Sequence, residues 1–350
     1  MRKKLKKNGN GRGLLLFSYF RITFYAMNSI LDKGVSKTFV RYAVFGFRRR
    51  SSLLNLYKKK QHKGKEKEWN IMENLGYYNG KIGLIEEMTV PMNDRVCWFG
   101  DGVYDAGPCR NYHIFALDEH IDRFYNSAAL LDIKMPMEKE ELKTLLCDLV
   151  KKVDTGDLFV YYQVTRGTGK RNHVFTEGAG NLWVTLTPAS ISDGTTPIKL
   201  ITTEDTRFFH CNIKTLNLIP SVMASERAKK AGCQESVFYR PGGRVTECAH
   251  SNVHIIKDGK LYTAPTDELI LPGIARAHLI RACKKLGYAV SETAFTLDDL
   301  FAAEEVIVTS SSNLCLHACE IDGKPVGGKQ PEMLETIRKT LLEEFYEATK

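Results

Sequence analysis

Lys214 is the only charged residue in the thirteen-residue stretch CNIKTLNLIPSVM, positions 211–223. An amine held among apolar side chains is poorly solvated as a cation, so it gives up its proton more readily and becomes a nucleophile. That is the state in which a lysine forms a Schiff base with a carbonyl compound. A lysine that lays its stem along a loop and reaches solvent produces the same pattern, and the residues by themselves leave both readings open.

Glu247 has the same character, being the sole carboxylate in VTECAHSNVHII, positions 245–256. A carboxylate buried there needs a partner such as a ring N–H cation, whereas a turn acid following PGGR needs none. LPGIAR, Leu271–Arg276, opens a helix with Pro and Gly. The free backbone N–H groups of such a start can bind a phosphate, although most helix starts bind nothing. Two other phosphate-like stretches fail. Gly167–Arg171 (GTGKR) lacks the full Gly-x-x-x-x-Gly-Lys-Ser/Thr pattern, and Gly100–Gly107 (GDGVYDAG) lacks the Gly-x-Gly-x-x-Gly spacing.

The elements that must position these residues alternate between strand and helix signals. GLIEEMTV, positions 83–90, reads as a short strand, and FALDEHIDRFYNSAALLDI changes to helical spacing. MEKEELKTLLCDLVKKVD sets Leu142, Leu145, Leu146, Leu149 and Val150 on one helix face, with acids early and lysines late. DLFVYYQVTRG and NLWVTLTP read as strands. The polar ASISDGTTP that follows is a linker. After it come a strand (IKLITTED), a helix stopped by Gly232, a strand (ESVFYR) turning at PGG, and two strands bracketing an Asp-Gly turn. A helix ending at Gly287, the strand EEVIVTS and a closing helix from PEMLETIRK complete the chain. The expected class is α/β, with a small domain over 72–188, a linker at 189–197 and a larger domain over 198–350. A crevice between two domains is a common place for a small-molecule site.

Charge is distributed unevenly. The 350 residues carry a net charge of +9, but residues 1–71 hold 19 Lys and Arg against 3 Asp and Glu, leaving 31 against 38 from Met72 onward. The leader therefore carries all the basic character, and the remainder has no bias toward nucleic acid. The leader reads as a non-native upstream extension before a start at Met72, as a targeting peptide, or as a basic arm. Nine cysteines spread from Cys97 to Cys319 form no CxxC pair and no metal-ligand spacing, so no metal is expected, and scattered thiols suit the cytoplasm. No apolar run from Met72 onward is long enough for a membrane span.

Seven stretches carry a resemblance in order along the chain: FGDGVY, EHIDRFY, QVTRGTGKRNH, NIKTLNL, VTE followed by SNV, LILPGIAR and IVTSSS. Together they are similar to the class IV, or fold type IV, pyridoxal-phosphate aminotransferases, and most of all to the bacterial D-amino-acid transaminases. The leader has no counterpart. The resemblance implies a small α/β domain and a larger one with a barrel-like sheet, the cofactor lying in the crevice. Lys214 would hold the cofactor as a Schiff base and shuttle the substrate Cα proton. Glu247 would face the pyridine nitrogen and Leu271 the ring. Arg123, the backbone N–H groups of Ile274 and Ala275, and the Ser310–Ser311 turn would bind the phosphate. Tyr104, with Arg171 and His173 from the neighbouring subunit of a homodimer, would hold the substrate α-carboxylate.

The chain also departs from the family. Ala275 stands where a threonine is common, which leaves the phosphate cup one hydroxyl short. Cys248, Ala249 and His250 follow the glutamate where small residues are usual. The expected reaction is a ping-pong transfer of the amine of D-alanine, D-glutamate or D-aspartate to a 2-oxo acid such as 2-oxoglutarate. Branched-chain L-amino-acid aminotransferases and aminodeoxychorismate lyases share several of these stretches, but Arg171-x-His173 speaks against both. A non-catalytic binding protein with a basic arm would be expected to have lost Lys214, Glu247 or Arg123.

Overall fold

The computed structural model describes residues 71–350, so the readings of the basic leader concern residues outside those described. Two sheets organise the chain. Strands β1 (Leu75–Tyr78) and β2 (Lys81–Gly83) form a hairpin about Asn79 and Gly80, and helix α1 (Arg95–Phe99) leads into the long β3 (Gly102–Arg110) and short β4 (His113–Ile114). Helices α2 (Leu117–Leu130) and α3 (Lys139–Val150) precede β5 (Leu158–Thr165) and β6 (Asn181–Pro188). The first sheet has the order β2-β1-β6-β5-β3-β4 and is antiparallel throughout.

Alternation builds its core. In β6, Leu182, Val184 and Leu186 point inward, and they meet Ile121 and Phe124 of α2 and Leu142, Leu146 and Leu149 of α3. The apolar face read from the α3 spacing is the buried one, with Leu145 packed at its margin.

The second sheet contains β7 (Ile198–Glu204), β8 (Glu235–Tyr239), β9 (Val245–Cys248), β10 (Asn252–Lys257), β11 (Lys260–Thr263), β12 (Val290–Ser291), β13 (Glu305–Thr309), β14 (Leu316–Ile321) and β15 (Lys324–Pro325). Helices α4 (Ile219–Lys230), α5 (Ile274–Lys285), α6 (Leu297–Ala302) and α7 (Pro331–Ala348) accompany it. The hydrogen-bonded order is β12-β11-β10-β13-β14-β7-β8-β9, with β15 on β14. Strands β9 and β10 are separated by four strands in that order, yet in sequence only residues 249–251 lie between them. The sheet must therefore curl until its β9 edge approaches β10, which makes it a half-barrel. Val253, Ile255, Val306 and Val308 fill the inner face, while Ile256 and Ile307 face outward under Leu279 of α5 and Ile337 of α7.

One sequence expectation is corrected, and the longest strand had not been read. The strand read over residues 83–90 ends at Gly83, and Ile85–Glu87 instead form a single 3-10 turn. The nine-residue strand β3 carried no strand signal, because Gly102, Asp105, Gly107 and Pro108 are residues that strands disfavour. Its position explains Gly102: a Cβ there would sit 2.6 Å from the Val164 carbonyl oxygen. Among the described residues no helix is long and apolar enough to cross a membrane.

Candidate active site

The loop between β7 and α4 leaves the curled sheet and runs along β3 of the first one. Thr215 bridges to Val103, the Tyr104 N–H donates to the Lys214 carbonyl at 2.9 Å, and the Leu216 N–H donates to the Gly102 carbonyl at 3.1 Å. The Lys214 N–H donates to Ser127 Oγ of α2 at 3.2 Å. The backbone on both sides of Lys214 is thus fixed by bonds that leave its side chain free. That side chain is half-buried, between the enclosed and the solvent-reaching readings that the sequence left open. Its Nζ lies 4.3 Å from the centre of the Tyr104 ring and makes no hydrogen bond or ion pair among the described residues.

Lys214 lines a cleft, and Arg123, Glu247, Leu271, Ile274, Ala275, Ser310 and Ser311 line the same cleft. Tyr104 also lines it, stacked on Tyr161 with 5.4 Å between ring centres. Arg171 and His173 do not. Both are exposed on the loop between β5 and β6, where each packs on Phe99, the Arg171 guanidinium 5.3 Å and the His173 ring 5.2 Å away. Within one chain the structure brings together every expected cofactor residue and Tyr104, and leaves Arg171 and His173 apart from them.

Glu247 is 5 % exposed. One oxygen accepts from Arg207 Nη1, and the other accepts from Asn252 Nδ2 and from the Leu271 N–H, both at 3.0 Å. Burial pushes its carboxyl above the usual range, while Arg207 and the Leu271 N–H pull the other way. Arg207 is itself held by Asp205 through Nε and Nη2, at 2.9 Å each. The sequence reading missed Arg207, Asp205 and Asn252. Arg207 reaches Glu247 across 40 positions, and no local motif joins the four residues.

Arg123 has a comparable anchor. Asp105 of β3 is fully buried and accepts from Arg123 Nε and Nη2 at 2.8 Å each, and from the Nδ1–H of His120 at 2.7 Å. Burial alone would raise the Asp105 carboxyl, but Arg123 and His120 hold it well below the usual carboxylate range. Burial keeps His120 neutral despite Asp105. Arg123 Nη1 also donates to the Pro272 carbonyl at 3.2 Å, which joins α2 to the start of α5. One N–H on each terminal nitrogen remains for an anion in the cleft. At the start of α5 no side chain caps Gly273, so the first-turn N–H groups are open.

A Cβ on Gly273 would collide with Asn252 Oδ1. Gly273→Ala is therefore expected to push Asn252 off Glu247 and to cost about 1–3 kcal/mol. Urea unfolding checks this; an unchanged midpoint would show that Asn252 can give way freely.

An amine, a buried carboxylate and a set of anion donors on one cleft match the groups of pyridoxal 5'-phosphate: an aldehyde, a ring nitrogen and a phosphate. Residues 102–321 match the family model of amino-transferase class IV. The D-alanine aminotransferase of Listeria monocytogenes serotype 4b is 40% identical over 272 residues, covering 75% of this chain and 93% of the relative. Among solved structures, the T.th. branched-chain amino acid aminotransferase complexed with N-(5'-phosphopyridoxyl)-L-glutamate has a TM-score of 0.70 and 26% identity, covering 80% of this chain and 95% of that one. The branched-chain amino acid aminotransferase from Escherichia coli has a TM-score of 0.72 at 22% identity, covering 79% and 96%, and shows the shared fold. The chain belongs to the class IV aminotransferases, with pyridoxal 5'-phosphate as cofactor.

Proposed function

We propose that the chain transfers the amine of a D-amino acid, such as D-alanine, D-glutamate or D-aspartate, to a 2-oxo acid such as 2-oxoglutarate, in two half-reactions at one site. The observation that carries this reading is the convergence of Lys214, Glu247, Arg123 and the uncapped start of α5 on one cleft. Similarity to D-alanine aminotransferases supports the choice of the D series. We read residues 72–188 and 198–350 as two domains joined at 189–197, working in a reducing compartment.

When bound, the cofactor supplies the electron sink that stabilises negative charge at the substrate Cα. Lys214 holds it and, through Nζ, removes the Cα proton in the first half-reaction and returns one to Cα in the second. Among the described residues Nζ has no ion pair, which suits an amine that must alternate between free and protonated forms. Glu247 holds the proton on the pyridine nitrogen. The donors from Arg207, Asn252 and Leu271 favour its ionised form against burial, so that it can do so. Leu271 lies against the ring. Arg123, the Ile274 and Ala275 N–H groups and the Ser310–Ser311 turn seat the phosphate, where guanidinium, helix dipole and hydroxyls act together.

Tyr104, with Arg171 and His173 from a second copy, binds the α-carboxylate. This requires a homodimer. The exposed Val174 and Phe175 of the same loop, and Phe208 of the cleft lining with its exposed neighbour Phe209, are apolar surface that such an interface would cover. The test is a pair of half-reactions followed by the cofactor's colour. D-Alanine is expected to react at least about tenfold faster than L-leucine. A faster reaction with L-leucine would overturn the D-specific reading in favour of a branched-chain preference.

A further inference from the structure

His254 is completely buried on β10 and plays no part in the reaction described above. Its Nδ1 lies 2.9 Å from Thr263 Oγ1, and its Nε2 lies 2.9 Å from Thr309 Oγ1. Thr263 Oγ1 also accepts from Arg276 Nε at 3.1 Å. Neither threonine hydroxyl has another partner among the described residues. Thr309 is 1 % exposed and lines the cleft beside Ser310, Ser311, Ile274 and Ala275.

The supply of hydrogens fixes the direction of this chain. Burial and the neighbouring Arg276 push the His254 ring down to about 3, so it carries a single N–H. If that hydrogen were on Nδ1, Thr263 Oγ1 would accept twice and its own buried hydrogen would have no acceptor. Thr309 would meanwhile donate to Nε2 and have nothing left for the cleft. If it is on Nε2, the donors run in one direction: Arg276 donates to Thr263, Thr263 to Nδ1, and Nε2–H to Thr309. The only hydrogen left over is that of the Thr309 hydroxyl. Each arrangement leaves one hydroxyl hydrogen without a protein acceptor, but only the second leaves it on Thr309, which lines the cleft and can meet an anion there.

We propose that Thr309 donates a hydrogen bond to the cofactor phosphate, and that His254 is the positioning residue that frees and aims that hydroxyl. Thr309 then replaces the hydroxyl that Ala275 lacks. The inference rests on the reading of Arg123 and the α5 start as the phosphate seat. It places a fixed donor under that seat, fed by a guanidinium through Thr263 and His254.

The test compares retention of pyridoxal 5'-phosphate and of unphosphorylated pyridoxal by the full-chain holoenzyme on dilution. Thr309→Val is expected to weaken retention of the phosphorylated form roughly tenfold or more and to leave pyridoxal unchanged, since a hydrogen bond to a charged group is lost. Thr309→Ser is expected to restore it. His254→Phe should weaken retention in the wild-type background and add nothing to Thr309→Val. Nitrogen-15 spectra of the histidine-labelled holoenzyme should show His254 protonated on Nε2. A hydrogen on Nδ1, or unchanged retention in Thr309→Val while Arg123→Lys is weakened, overturns the relay alone. If Arg123→Lys is unchanged as well, the phosphate seat itself falls.

Discussion

Lys214→Ala is expected to reduce turnover by roughly 10⁴-fold, the upper range for loss of a positioned proton-transfer group, with the fold intact. The two halves of this expectation come from different parts of the residue. Its backbone is bonded to Ser127, Tyr104 and, through its neighbours, to Gly102, and none of those bonds involves the side chain. The side chain is half-buried and touches the Tyr104 ring, a contact worth about 0.5–1 kcal/mol at an exposed site. Truncation therefore removes the amine and little else. In the wild type, borohydride is expected to fix the cofactor on the peptide containing Lys214, and in the variant on none. Turnover within about tenfold of the wild type, or cofactor fixed on another lysine, would mean that the cleft is served by a different amine.

How far this site can be read from sequence depends on how local its chemistry is. Lys214 and Glu247 stand out as the single charge and the sole carboxylate of their runs, and both line the cleft. LPGIAR announced its helix start by Pro and Gly, and α5 begins at Ile274 with no side-chain cap. The features that were illegible are the ones made by folding. Arg207 reaches Glu247 across 40 positions, and Asp105 reaches Arg123 across 18, so no spacing rule connects them. Strand β3 was hidden because it is recruited by its neighbours: it pairs with β5 from Gly102 to Cys109 despite a composition that strands disfavour. The amphipathic α3 was legible because its period of apolar residues is a property of the segment itself. Which of its two possible surroundings Lys214 has was illegible for the same reason. Apolar neighbours in sequence are not neighbours in space when the chain runs extended along β3.

Asp105→Asn is the substitution expected to cost the most stability, about 3–5 kcal/mol, because it leaves the buried Arg123 guanidinium without its counter-charge. The replacement has nearly the same shape, so the loss measures charge and hydrogen bonding with little change in packing. His120 adds to it, since its Nδ1–H loses a charged acceptor. The pH dependence has a definite sign. The Asp105 carboxyl is held well below its ordinary value in the folded protein, so in the unfolded chain it takes up a proton first as the pH falls. Its contribution is complete above about pH 4, the ordinary range of an aspartate, and is lost progressively below it. The difference in urea midpoint between wild type and variant should therefore be full at neutral pH and narrower near roughly pH 3, where the unfolded wild-type chain takes up the proton that the folded protein still excludes. The same change unties Arg123 from the position where it donates to Pro272 beside the start of α5, so the variant should also release the cofactor faster. A difference that stays constant down to that pH would show that the charge on Asp105 is not what holds the guanidinium, and that shape and hydrogen bonding suffice.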